Sequence, residues 1–198
     1  MSSETNFSDD LKRDFVLAAH GDLDKVKSML AENPALLNIV YDWGERGGLE
    51  APIGAAAHVG NRPIAEYLLE QGAPLNICVA AMLGRADEVQ AFLDADESQA
   101  NARGAHGIPV MFHAGFSGLV DIAQMLHQRG CNEGYSFALF SAVNSGNPAL
   151  VAWLLAHGAD EVNMRDFRGQ TPLANALANG HDEIANLLRA HGAVENPE

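Results

Sequence analysis

The sequence predicts an all-α solenoid of about six helix-turn-helix units, with short β-hairpin fingers only after alternate repeats. Two observations predict it. A pattern of small and apolar residues, a glycine and a second apolar helical face recurs six times, as LAAHGDLDKVKSML, AAAHVGNRPIAEYLL, VAAMLGRADEVQAFL, HAGFSGLVDIAQML, SAVNSGNPALVAWLL and NALANGHDEIANLL. Such internal similarity marks stacked supersecondary units that cannot bury their apolar faces alone. The glycines of the six turns, Gly21, Gly60, Gly84, Gly118, Gly146 and Gly180, are separated by 39, 24, 34, 28 and 34 residues, so long and short units alternate.

Taken in order, residues 1–10 read as a polar tail or cap, 11–194 as a single repeat domain and 195–198 as a second tail. Asp9, Asp10, Lys12, Arg13 and Asp14 supply the polar outer face that a terminal repeat needs. In each copy the turn glycine follows a helix end, where a residue without Cβ adopts positive φ without strain. Asn147 then Pro148 reads as a cap followed by the first helical position. In the last copy Ile184, Leu187 and Leu188 lie on one helical face, with Asp182 and Glu183 in the first turn. Too few residues separate Gly72 from Gly84 for a finger, and the stretch from Gly130 to Gly146 is nearly as tight. Fingers are therefore expected at 39–50, 102–107 and 164–169 only. With packed helices roughly 9 Å apart, such fingers would stand roughly 18 Å apart with gaps between them.

Thr171-Pro172-Leu173 and the endings LLAHGADEVN and LLRAHGA resemble ankyrin repeats, and the resemblance runs from about Leu11 to Val194. The first four copies are looser: Ala51-Pro52-Ile53-Gly54 and Pro109-Val110-Met111-Phe112 stand where the family has T-P-L-H. The first copies are also similar to stand-alone bacterial ankyrin repeat proteins carrying AAHGDLDKV and an aspartate-tryptophan-glycine loop. The family resemblance implies a protein-binding solenoid without catalytic function.

Composition narrows the classes. Twelve Lys and Arg against 26 Asp and Glu give a formal charge of -14, which repels nucleic acid and anionic lipid. No apolar run approaches the ~20 residues needed to span a bilayer. Cys78 and Cys131 have no paired spacing and no leader-like segment is evident, so a cytoplasmic setting is expected. The chain has none of the H-E-x-x-H, paired C-x-x-C or G-x-S-x-G motifs, so neither catalytic residues, cofactor nor metal is expected. His157, His181 and His191 fall at common structural positions. His20, His58, His106 and His113 remain as possible site members, but nothing in the sequence makes them converge.

The expected function is a partner-protein interaction through the finger side by a monomer capable of weak self-association. A scaffold subunit is the alternative, followed by a small-molecule binder or enzyme using a cleft between fingers. Candidate partner-binding residues are Tyr41, Trp43 and Arg46 on the first finger, His58 and Phe116 at inner-helix ends, and Phe167 and Arg168 on the last finger. Aromatic residues with Arg are the usual interface anchors, and loops on a rigid scaffold carry them. Trp43 has a second reading, in which it folds back and seals the end of the stack. Met82, Leu83 and Val59 would likewise either form a greasy floor or pack inward.

Overall fold

A computed structural model describes residues 7–45, 47–166 and 168–195. Among these residues twelve α-helices form six pairs: α1 Asp9–Gly21 with α2 Leu23–Glu32, α3 Pro52–His58 with α4 Arg62–Glu70, and α5 Ile77–Leu83 with α6 Ala86–Ala95. The pairs α7 Val110–Ser117 with α8 Val120–Gln128, α9 Tyr135–Ser145 with α10 Pro148–Ala156, and α11 Pro172–Ala178 with α12 Asp182–Ala190 complete the stack. Odd-numbered helices pack on one another as one layer and even-numbered helices as a second.

Local chemistry sets the helix starts. The side chains of Ser8, Asp22, Asn61, Asn76, Asn147 and Thr171 each accept a backbone N–H in the first turn of the helix that follows. Asn61 and Asn147 also donate back to the preceding unit, to the carbonyls of His20 at 3.3 Å and Gly118 at 2.6 Å. After α5, Gly84 takes φ 75°, which closes the turn into α6.

The alternation of fingers is present. β1 Tyr41–Asp42 pairs antiparallel with β2 Leu49–Glu50, forming the first finger. The second is closed by the bridge Arg103–Pro109 and by Gly104 N–H donating to Ile108 at 2.8 Å. The third has no ladder among the described residues and is held by Asp166, whose N–H donates to the Gln170 carbonyl at 2.9 Å while its carboxylate accepts the N–H groups of Arg168 and Gln170. No strand is found between α4 and α5 or between α8 and α9 among the described residues. The units that bear the second and third fingers are tied to the next by asparagine: Asn101 bonds Gly130 and Asn132, and Asn163 bonds Gly192 and Val194.

The expected gap between the first and second fingers is absent. Ala105 lies over Gly54 of α3, which lacks a Cβ to hold it off, and the ring of His106 donates to the Gly47 carbonyl at 2.7 Å. The second finger thus leans across the fingerless unit and meets the first. Met82 and Leu83 pack inward rather than flooring a groove, and the Arg62 guanidinium caps both of their carbonyls. All seven residues of α5 are buried, so this helix joins an apolar cluster built on α1 to α4 to one built on α6 to α12.

Candidate functional site

The first two inner helices end in similar sequences, Ala18-Ala19-His20 and Ala56-Ala57-His58. In adjacent repeats such positions are neighbours, and the two imidazoles meet edge to face with centroids 4.9 Å apart. His106, at the tip of the second finger, meets the other side of His58 at 4.9 Å. Beneath them lies Glu50 at the end of β2, only 1% exposed. Its Oε1 is 3.1 Å from His58 Nδ1, 3.1 Å from His106 Nε2 and 3.7 Å from His20 Nε2.

Glu50, His20 and His106 are held from behind, and His58 is held at the nitrogen that faces Glu50. Trp43 Nε1–H donates to Glu50 Oε2 at 2.6 Å. His20 Nδ1 donates to Val16 at 2.9 Å, His58 Nδ1 to Gly54 at 3.2 Å and His106 Nδ1 to Gly47 at 2.7 Å. A carbonyl can only accept, so the contacts of His20 and His106 fix the proton on Nδ1, whereas His58 Nδ1 is shared between the Gly54 carbonyl and Glu50 Oε1. Burial of Glu50 works to raise its pKa, but the polar contact and charge of His58, then the charges of His106 and His20, outweigh it and hold the carboxyl below its ordinary value. Oε1 nevertheless has no hydrogen bond of good geometry. His106 sits at φ 57°, the one non-glycine residue with positive φ among those described. A side chain in this conformation costs about 1 kcal/mol, and Asn, Asp and His tolerate it best.

Nothing in the sequence signals convergence among these four possible site members, yet His20, His58 and His106 converge, whereas His113 does not join them. His113 is fully buried in α7, under Gly104 and beside Cys78, with neither ring nitrogen in a hydrogen bond of good geometry. Desolvation drives its pKa down to about 4, aided by the charge of His58 and opposed by the Ala57 backbone. Burial likewise raises the Cys78 thiol to about 12, which suits a core residue and not a nucleophile.

The expected partner-binding residues are spread over three places. Tyr41 and Trp43 meet edge to face at 4.8 Å, half-buried against the N-terminal core, and Trp43 is engaged inward by Glu50. Phe116 covers Gly60, where an added Cβ would lie 2.5 Å from its ring, and it meets Phe112 at 5.2 Å. Arg168 is exposed on the third finger, with its Nε 3.6 Å from Asp166. Arg46 and Phe167 lie outside the described residues.

Two residues escaped the sequence reading. Glu50 gives no composition signal, because the residues in its place on the other fingers, half-buried Ile108 and exposed Gln170, are not acidic. The paired A-A-H triplets were the available clue to its neighbours. Phe137 was the other: it takes the place that buried Thr171 has in the last unit, yet it is 51% exposed because no finger precedes it.

Residues 110–197 match the family described as Ankyrin repeats (3 copies). The chain is 37% identical over 136 residues to a putative ankyrin repeat-containing protein of Treponema pallidum, covering 64% of this chain and 45% of that protein. It is 45% identical over 65 residues to the ADP-ribosylation factor GTPase-activating protein AGD2 of Arabidopsis thaliana, which covers 33% of this chain and 8% of that one. With the 2-5A-dependent ribonuclease of Mus musculus it shares 45% identity over 56 residues, 28% of this chain and 8% of the relative. The chain spans less than half the length of each of these relatives.

Proposed function

The chain belongs to the ankyrin repeat family, and on that premise we propose that it is a non-enzymatic module binding a partner protein through its fingers and the inner-helix surface between them. Ankyrin repeats are in general protein-protein interaction modules, recognising shape across a stack without a reactive group. The observation that carries the reading here is Phe137. Between the second and third fingers the turn from α8 to α9 bears no finger, and just after it, in α9, a large aromatic side chain stands half in water. An aromatic group on a rigid helix loses little entropy when covered and is the residue type that dominates interface energetics.

Arg168, on the finger beyond this unit, and Tyr41, on the first finger, extend the surface. Its formal charge of -14 favours a partner that presents a basic face, through faster encounter and rejection of acidic competitors. No helix among the described residues is long and apolar enough to cross a membrane.

The test is capture of the partner from the source cell by wild type, Phe137→Ala, Arg168→Ala and Tyr41→Ala. A centrally placed anchor is worth about 2 kcal/mol or more, so Phe137→Ala is expected to weaken capture roughly thirtyfold. Its denaturant midpoint should barely move, because exposed substitutions cost about 0.5 kcal/mol or less. Undiminished capture by all three variants overturns the reading.

A further inference from the structure

We propose that His20, Glu50, His58 and His106 form a four-ligand site for a divalent first-row transition-metal ion, Zn2+ by preference, which pins the first two fingers to the ends of α1 and α3. The four ligand atoms all lie within 4.8 Å of one another. In a tetrahedral site with bonds of about 2.0–2.1 Å, ligand atoms stand about 3.3–3.4 Å apart. The separations of Glu50 Oε1 from the three nitrogens, 3.1, 3.1 and 3.7 Å, bracket that value.

The tautomers point the same way. Because His20 and His106 each donate Nδ1–H to a backbone carbonyl, the lone pair on each Nε2 faces the carboxylate oxygen. Two lone pairs turned on a buried carboxylate repel it, and a cation between them converts each repulsion into a bond. His58 presents Nδ1, whose carbonyl contact is the longest of the three at 3.2 Å. Ligation there moves its proton to Nε2. The indole of Trp43, bonded to Oε2, leaves Oε1 as the free ligand atom. Carbonyls behind His20 and His106 and a donor behind the carboxylate are the outer contacts that orient metal ligands.

Comparison within the chain separates this arrangement from ordinary helix-end histidines. His157 and His191 make the same Nδ1 contact to the carbonyl four residues back, yet neither belongs to the cluster. What differs is the buried Glu50 and the finger that leans across to bring His106, whose backbone is held where glycine is favoured.

The donor set selects the ion. Three imidazoles and one carboxylate suit Zn2+ and its neighbours in the first transition row, whereas Mg2+ and Ca2+ require oxygen ligands throughout. Four protein ligands make a closed site, so the ion's role is structural. A cleft of ≈ 240 Å3 between the finger tips, lined by Gly47, Gly48, Leu49 and His106, gives it a way in.

The test uses the full chain stripped with a chelator and titrated with Zn2+ by calorimetry, with Co2+ by visible absorption, and with Mg2+ and Ca2+ as controls. One equivalent of Zn2+ should bind and raise the Tm, Co2+ should give the intense bands of tetrahedral coordination, and the controls should do nothing. His106→Gly suits the positive φ, keeps the fold and removes one ligand; His106→Asn, which also tolerates that φ, is the second such variant. Both should weaken Zn2+ binding by roughly a hundredfold or more, and Trp43→Phe, which removes only the outer contact, by about 10–100-fold. A His157→Ala, His191→Ala double variant should bind as wild type does. Absence of Zn2+ binding, unchanged binding in both His106 variants, or loss of binding in the double variant overturns the proposal.

Discussion

His113 sits where ionisation is least tolerable, fully buried in the inner layer with neither ring nitrogen well bonded. Its folded pKa of about 4 lies below the 6.5 of an unburied imidazole. The unfolded chain therefore takes up the proton first, and stability is full above about pH 6.5 and falls as pH drops toward 4. Full development of the shift corresponds to roughly 3 kcal/mol. His113→Leu should remove this component, leaving a shallower loss of stability between pH 7 and 5 than wild type shows in urea titrations with a chelator present. Equal slopes would mean that the ring is hydrated or paired in solution. The same residue marks how far the sequence could be read. Its place on a first helix was legible, but its separation from the other histidines depends on the lean of the second finger, which no local pattern encodes. Glu50 was illegible for the same reason: a glutamate near a glycine-rich turn reads as solvated until a neighbouring finger covers it.

At the scale of elements, glycine spacing carried most of the information, because chain length between turns decides whether a finger can exist. The three finger positions and the two bare turns were readable from it. The strength of the fingers was not: among the described residues the first forms a two-residue ladder, the second a single bridge and the third a turn around Asp166. Helix contact has a similar dependence on small residues. Where α7 meets α9, Ser141 Oγ–H donates to the Phe112 carbonyl at 2.6 Å, and an added Cβ on Gly115 would collide with that oxygen and lie 2.9 Å from the Ala138 carbonyl. Gly115→Ala is thus expected to destabilise by about 1–3 kcal/mol through overpacking, even though alanine is the better helix former by about 1 kcal/mol. Gly115→Ala combined with Ser141→Ala should recover part of the loss, as a double-mutant cycle in denaturant would show. A stabilised single variant would refute close packing at this contact.

For the whole molecule, repeat number and the stacking of successive helix pairs followed from the sequence, but the division of its interior did not. Val79, Met82 and Leu83 of α5 belong to the cluster that contains Phe15 and Leu68, while Ile77, Cys78, Ala80 and Ala81 belong to the cluster that contains Leu139 and Leu188. In a solenoid, stability is nearly a sum of unit terms and nearest-neighbour interfaces, so one weakened interface can uncouple the two sides. The two tryptophans report on opposite sides, since Trp43 packs on the first cluster and Trp153 on the second. With Trp153 replaced by Phe, Trp43 emission and far-ultraviolet circular dichroism should give one coincident urea transition, because α5 is buried from end to end and couples both sides. Adding Met82→Ala empties a site on the first-cluster side of that helix, at a cost of about 2–5 kcal/mol. The Trp43 transition should then move to lower urea and separate from the bulk of the helical signal, which comes from α6 to α12. Coincident transitions in the double variant would show that the two clusters unfold as one unit, and that the fingers, not α5, hold them together.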